Sequence, residues 1–128
     1  MIKQVVVMRT KYPDGKGGTF GLRVGKLIAQ GSHSSMAFLV EKIKTGREFT
    51  EAEQDWLNGE STKICLKVEH EEELLDVFQK ARLAGLEAHL ITDLGKTEFH
   101  GVPTNTAVAI GPDFNEKIDQ ITGNLSPL

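Results

Sequence analysis

Apolar residues run almost unbroken from Ile2 to Met8, with Val5-Val6-Val7 at the centre, the pattern of a strand buried on both faces and so central in its sheet. Tyr12 to Gly21 holds Pro13-Asp14-Gly15 and Gly17-Gly18 and reads as a turn-rich loop. A first helix follows over about 20–44, with Leu27, Ile28, Phe38 and Leu39 as its buried stripe and Gly46 as its C-cap. Thr50-Glu51-Ala52-Glu53 is a capping box opening a short helix through Trp56-Leu57, which Gly59 closes and Trp56 anchors in the core.

Lys63 to Val68 predicts a second strand, in which Cys65 is expected to be buried. Glu71-Glu72-Glu73 before Leu74, Leu75, Phe78 and Ala81 predicts an amphipathic helix with its acids favourably placed in the first turn, ended by Gly85. Leu86 to Ile91 and Asn105 to Ile110 read as further strands, and Gly111-Pro112-Asp113 as the start of a last helix carrying Phe114, Ile118 and Ile121. The order β-α-α-β-α-β-β-α predicts one α/β domain over 1–128. It has three layers, a mixed, mostly parallel four-stranded sheet with helices on both faces.

A chain of 128 residues is long enough to bury roughly two-thirds of its unfolded surface without disulfide or metal staples. No apolar run approaches the roughly 20 residues of a membrane helix, and the N-terminus lacks a signal-peptide layout, so the expected compartment is the cytosol. One cysteine cannot form an internal disulfide.

The net charge of -3 conceals segregation: residues 1–47 hold nine basic and two acidic residues, while residues 48–128 hold six basic and sixteen acidic. Arg9, Lys11, Lys16, Arg23 and Lys26 can form one patch near the start of the first helix, suited either to phosphate contacts or to plain solvation.

On that helix Lys26, Gln30 and His33 stand at i, i+4 and i+7 and share one face, so a cation, an amide and an imidazole lie beside the buried stripe. The longest connection of the second half, Asp93 to Thr104, supplies Asp93, Lys96, Thr97, Glu98, His100 and Thr104, with Thr106 just beyond. Asp93 directly follows a strand, where open α/β sheets place their ligands. Several familiar chemistries fail on spacing. Gly25-Lys26 lacks the preceding glycine and following hydroxyl of a phosphate loop, since Phe20 and Leu27 stand there. His33, His70, His89 and His100 show no metal-ligand spacing. No Gly-x-Ser-x-Gly elbow frames Ser32, Ser34 or Ser35, which leaves serine esterase chemistry a weak third reading.

Five pieces in order, Lys3 to Arg9, Gly25-Lys26-x-x-Ala29-Gln30-x-x-His33, Asp93-x-Gly95-Lys96-Thr97-Glu98, Ala109-Ile110-Gly111-Pro112 and Ile121-Thr122-Gly123-x-Leu125, together resemble the type II peptidyl-tRNA hydrolases of the archaeal and eukaryotic type. The resemblance runs end to end. It implies a metal-independent, cofactor-free ester hydrolase that frees tRNA from peptidyl-tRNA, on a small α/β fold often seen as a homodimer. It further implies a catalytic cluster of Lys26, Asp93 and Thr104, with Gln30, His33, Thr97 and Thr106 supporting, and tRNA phosphates on Arg9, Lys11, Lys16 and Arg23.

Cleaving an ester needs a positioned water and charge on the tetrahedral oxyanion, roles within reach of Asp93 and Lys26, with Thr104 orienting either. The chain departs from the family pattern near the site, with Val24 for a second lysine, Glu98 for a glutamine, and Val102-Pro103-Thr104 in place of Pro-Gly-Thr or Pro-Gly-Ser, the interval from Thr97 being one residue longer. Pro103 fixes φ and lacks an N–H donor, so a different loop path is expected. The alternative function is a non-catalytic tRNA- or protein-binding module on the same scaffold.

Overall fold

The apolar run at the N-terminus forms β1 (Ile2–Arg9) in a computed structural model that describes residues 1–128. A short hairpin of β2 (Tyr12–Pro13) and β3 (Thr19–Phe20) follows, then α1 (Val24–Thr45) and α2 (Glu51–Asn58). The chain continues through β4 (Lys63–Val68), α3 (Glu71–Leu83), β5 (Ala88–Asp93), β6 (Thr104–Phe114), α4 (Asn115–Thr122) and β7 (Ser126–Pro127). The first helix starts at Val24 rather than near residue 20, because Phe20 pairs with Tyr12 and Thr19 with Pro13.

The main sheet has five strands in the order β5-β6-β1-β4-β7. Only β1 and β4 are parallel; β1–β6, β5–β6 and β4–β7 are antiparallel. The expected mostly parallel, four-stranded sheet is thus corrected to a mixed sheet that is mostly antiparallel. The α1–α2 crossover returns the chain parallel beside β1, whereas β5 turns back directly into β6. Strand β6 also outruns its expected end, since Asp113 and Phe114 still pair with Lys3 and Ile2, so α4 begins only at Asn115.

The three layers follow from the alternation in β1. Val5 and Val7 pack with Leu74, Val77 and Ala81 of α3 and Ile118 of α4, while Val6 and Met8 face Leu27 and Ala37 of α1. Helix α2 begins on the predicted capping box, with Glu53 N–H donating to Thr50 Oγ1 at 3.1 Å and Thr50 N–H donating to Glu53 Oε1 at 2.8 Å. Trp56 is buried, as expected, and its Nε1 donates to Thr62 O at 2.8 Å.

Helix α1 presents a different face from the apolar stripe expected of it. Its fully buried row is Gln30, Ser34, Phe38 and Lys42, while Ile28 is 63% exposed. Polar side chains tolerate this burial because each has a partner. Gln30 Oε1 accepts from Thr106 Oγ1 at 2.5 Å, Ser34 Oγ donates to Gly31 O at 2.8 Å, and Lys42 pairs with Glu53; beside them half-buried Ser35 donates from Oγ to Gln4 Oε1 at 2.5 Å. Cys65 is exposed rather than buried, because its side of β4 looks into an open groove beside α1 lined also by Ile28, Gly31 and Leu128. No helix is long and apolar enough to cross a membrane.

Candidate active site

Strand β5 ends on Asp93, and the first turns of α1 set Lys26 and Gln30 above that strand end. Lys26 Nζ donates to Asp93 Oδ1 at 2.8 Å and to Thr97 Oγ1 at 3.1 Å. Gln30 Nε2 donates to the same Asp93 oxygen at 3.2 Å, and the Gly95 N–H donates to Oδ2 at 2.9 Å. Thr106, wholly buried on β6, donates to Gln30 Oε1 at 2.5 Å. Five predicted site residues therefore form one connected network, whose members come from α1, β5, the following loop and β6. It lies along a cleft of about 260 Å3 that His33, Leu94 and Lys96 also line.

The ion pair is mostly sheltered, with side-chain exposures of 18% for Lys26 and 13% for Asp93. The Lys26 ammonium bonded to it holds the Asp93 carboxyl below the usual carboxylate range; desolvation opposes this, and the Gly95 N–H and Gln30 amide reinforce it. Asp93 is thus a fixed negative charge with donors on both oxygens. Lys26, held against it, lines the cleft.

The loop from Leu94 to Pro103 is closed on itself by Gly101 N–H to Gly95 O at 2.6 Å and Val102 N–H to Phe99 O at 3.0 Å. Gly95 has φ 83°, and a Cβ there would stand 2.5 Å from Val102 O, so both conformation and space demand glycine. Phe99 is buried against Tyr12, with ring centroids 4.9 Å apart, and against Phe20 at 6.1 Å. That aromatic cluster ties the loop to the β2–β3 hairpin. Burial pushes the Tyr12 phenol above its ordinary range, Arg9 opposing and Asp93 adding to the shift.

Other predicted residues lie elsewhere. The Thr104 hydroxyl donates to Val102 O at 2.8 Å and lines a neighbouring cleft instead of bonding to Lys26 or Asp93. Of the two threonines at the start of β6, Thr106 is the one joined to the network. His33 is exposed on the cleft rim, and His100 lines the neighbouring cleft.

The basic patch divides in the same way. Arg9 is buried, donating from Nε to Lys11 O at 2.9 Å and from Nη1 to Asn105 O at 3.2 Å, with its guanidinium over the Tyr12 ring. Lys11 is paired with Glu69 at 2.6 Å, whereas Lys16 and Arg23 stay exposed with no ion pair. Lys96, an exposed lysine on the cleft that the sequence places in the long loop without a role, also has no ion pair.

Histidine spacing also missed one tertiary cluster. His89 lies against Glu87 at 2.6 Å and Glu41 at 3.5 Å, and the ligand atoms of all three lie within 4.8 Å of one another. Arg47 bridges both carboxylates there, so the cluster is an ion-pair network.

A family model described as peptidyl-tRNA hydrolase PTH2 matches residues 2–128. A peptidyl-tRNA hydrolase of Methanocaldococcus jannaschii is 43% identical over 128 residues, covering 99% of this chain and 100% of the relative. One from Nanoarchaeum equitans is 40% identical over 98% of this chain and 97% of its own length. One from Sulfolobus acidocaldarius is 36% identical over 99% and 100%.

Proposed function

The chain belongs to the peptidyl-tRNA hydrolase PTH2 family, and from that premise we propose a hydrolase that cleaves the ester between peptide and tRNA at the Lys26–Asp93 cleft. The observation that carries the assignment of the site is the 2.8 Å contact of Lys26 Nζ with a carboxylate whose two oxygens are both held by donors. Water adds to the ester carbonyl carbon and gives up a proton, the carbonyl oxygen becomes an oxyanion, and collapse expels the ribose oxygen, which takes up the proton that the water gave up. A fixed ammonium at the reacting carbonyl stabilises that oxyanion without reorganisation. Asp93 holds Lys26 in place and accepts a hydrogen bond from the attacking water, and Thr97 restrains the ammonium from the loop side. Gln30 and Thr106 position Asp93 from beneath. Thr104 belongs to the wall of the adjoining cleft in this reading.

The reaction needs no metal. The ammonium of Lys26 occupies the place beside Asp93 that a cation would otherwise take, and it supplies the positive charge itself. Phosphates of the tRNA run over Lys96, which lines the cleft, and over Lys16 and Arg23, exposed cations that no carboxylate neutralises. The enzyme acts in the cytoplasm, where its substrate arises.

A homodimer fits the outer face of α1. Val24, Ile28, Met36 and Val40 are exposed there at multiples of four residues, symmetric about exposed Ser32. Two antiparallel copies related by a two-fold axis at Ser32 set Val24 against Val40 and Ile28 against Met36, a self-complementary contact. Ile28→Glu should then yield monomers in sedimentation.

The test of function is multiple-turnover release of tRNA from peptidyl-tRNA by the purified protein with chelator present. Sustained turnover supports the reading, and binding without turnover contradicts it.

A further inference from the structure

A second cleft, of about 470 Å3, opens on the far side of the 94–103 loop from Lys26, within the size range of small-ligand sites. Asp93 and Thr104 are direct partners in the antiparallel β5–β6 ladder. Asp93 lines the Lys26 cleft and Thr104 the second, so one rung of the sheet, roughly 5 Å between Cα atoms, joins the two.

The chemistry of this second cleft suits a neutral chain better than a polyanion. Its wall includes the Tyr12, Phe20 and Phe99 rings and the Arg9 guanidinium, stacked 4.3 Å from the Tyr12 centroid. Arg9 donates from Nε and Nη1 to backbone carbonyls, while Nη2 makes no hydrogen bond within the protein. The carboxylates of Asp14 and Glu71 also line it, the latter 46% exposed. Of the nearby cations, Lys11 is paired with Glu69 and Lys16 is not among the lining residues. Arg9 itself is paired with Glu71 at 3.8 Å, so this lining offers phosphates no free cation, whereas Arg23 and Lys96 are exposed and have no ion pair.

An ester placed at Asp93 has two ends, one polyanionic and one peptidic. We propose that the second cleft receives the peptidyl end, with Arg9 Nη2 donating to a backbone carbonyl of the peptide and Val102, 60% exposed, packing on an apolar side chain beyond the residue at the ester. This inference rests on the hydrolase reading and adds a specificity site to it. The segment Val102-Pro103-Thr104, where the chain departs from its family's usual pattern, forms part of that wall, so peptide preference is set there.

The test compares two substrates that share one tRNA and one residue at the ester: an N-acetylated aminoacyl-tRNA and an N-acetylated tripeptidyl-tRNA with apolar residues. Val102→Glu, on an exposed position that folding does not depend on, is expected to lower the ratio of kcat/KM for the longer over the shorter substrate by about tenfold. The N-acetyl tripeptide amide should inhibit the wild type competitively and the variant more weakly. An unchanged ratio with wild-type turnover intact overturns the peptide cleft and leaves the hydrolase standing. Absence of wild-type turnover on both substrates overturns the hydrolase reading and the cleft with it.

Discussion

Thr106 Oγ1 donates to Gln30 Oε1 at 2.5 Å, and this bond decides which end of the Gln30 amide faces Asp93. With its oxygen engaged by the threonine, Gln30 can present only its NH2 group to the carboxylate. Thr106→Val keeps the shape but removes the donor, leaving a buried acceptor unsatisfied at about 1–3 kcal/mol of stability. The amide is then free to turn, and kcat should fall by up to about 10²-fold through misplacement of Asp93, with KM little changed. Steady-state kinetics alongside urea unfolding checks both parts.

The Asp93 carboxyl titrates below its unfolded value because Lys26 is bonded to it. A depressed folded value stabilises the protein fully above the unfolded pKa of about 3.9, and that stabilisation is lost as pH falls through the folded value. Lys26→Met removes the principal cause, so the carboxyl should titrate at higher pH and the acid-induced loss linked to it should shrink. A carbon-13 carboxyl titration of Asp93 in both proteins measures the direction.

Charge reversal separates the cations that sequence grouped together. Arg23→Glu or Lys96→Glu should weaken tRNA binding and reduce the salt slope by about 1 each. Lys11→Glu should change the slope less, since Glu69 already neutralises Lys11 at 2.6 Å. Binding isotherms over a salt series distinguish the three.

Lys42 and Glu53 form an ion pair with side-chain exposures of 3% and 1%, and Glu53 Oε2 has no partner. Lys42→Met leaves a buried carboxylate uncompensated and should cost about 3–5 kcal/mol. Adding Glu53→Gln, which keeps an acceptor for Thr50 N–H, should recover part of that loss. Chemical denaturation of the single and double variants measures the recovery.

Local signals were legible in the chain where local physics settles the outcome. The apolar run of β1, the Lys63–Val68 strand and the Thr50–Glu53 capping box all stand where the residues predict. The inward face of α1 was not legible, because Gln30 and Lys42 are made acceptable inside by Thr106 and Glu53, which lie on other elements. The sheet's mostly antiparallel character follows from where β6 inserts, between β5 and β1, which no periodicity encodes.

In the site, the spacing of Lys26, Gln30 and His33 identified a helix face, and the family resemblance supplied Asp93 as its partner. Which threonine joins them could not be read, since Thr104 and Thr106 share one strand parity. The difference is made by a carbonyl at Val102 for one and an amide at Gln30 for the other. Arg9 looked like surface charge for the same reason: its partners, Lys11 O, Asn105 O and the Tyr12 ring, are set by tertiary folding.

The most direct test of the account is the multiple-turnover rate of tRNA release from peptidyl-tRNA, with chelator present, for the wild type, Lys26→Ala and Asp93→Asn. The wild type should turn over, and each folded variant should lose about 10²–10³-fold in kcat. A folded Asp93→Asn protein working at the wild-type rate contradicts the Lys26–Asp93 site.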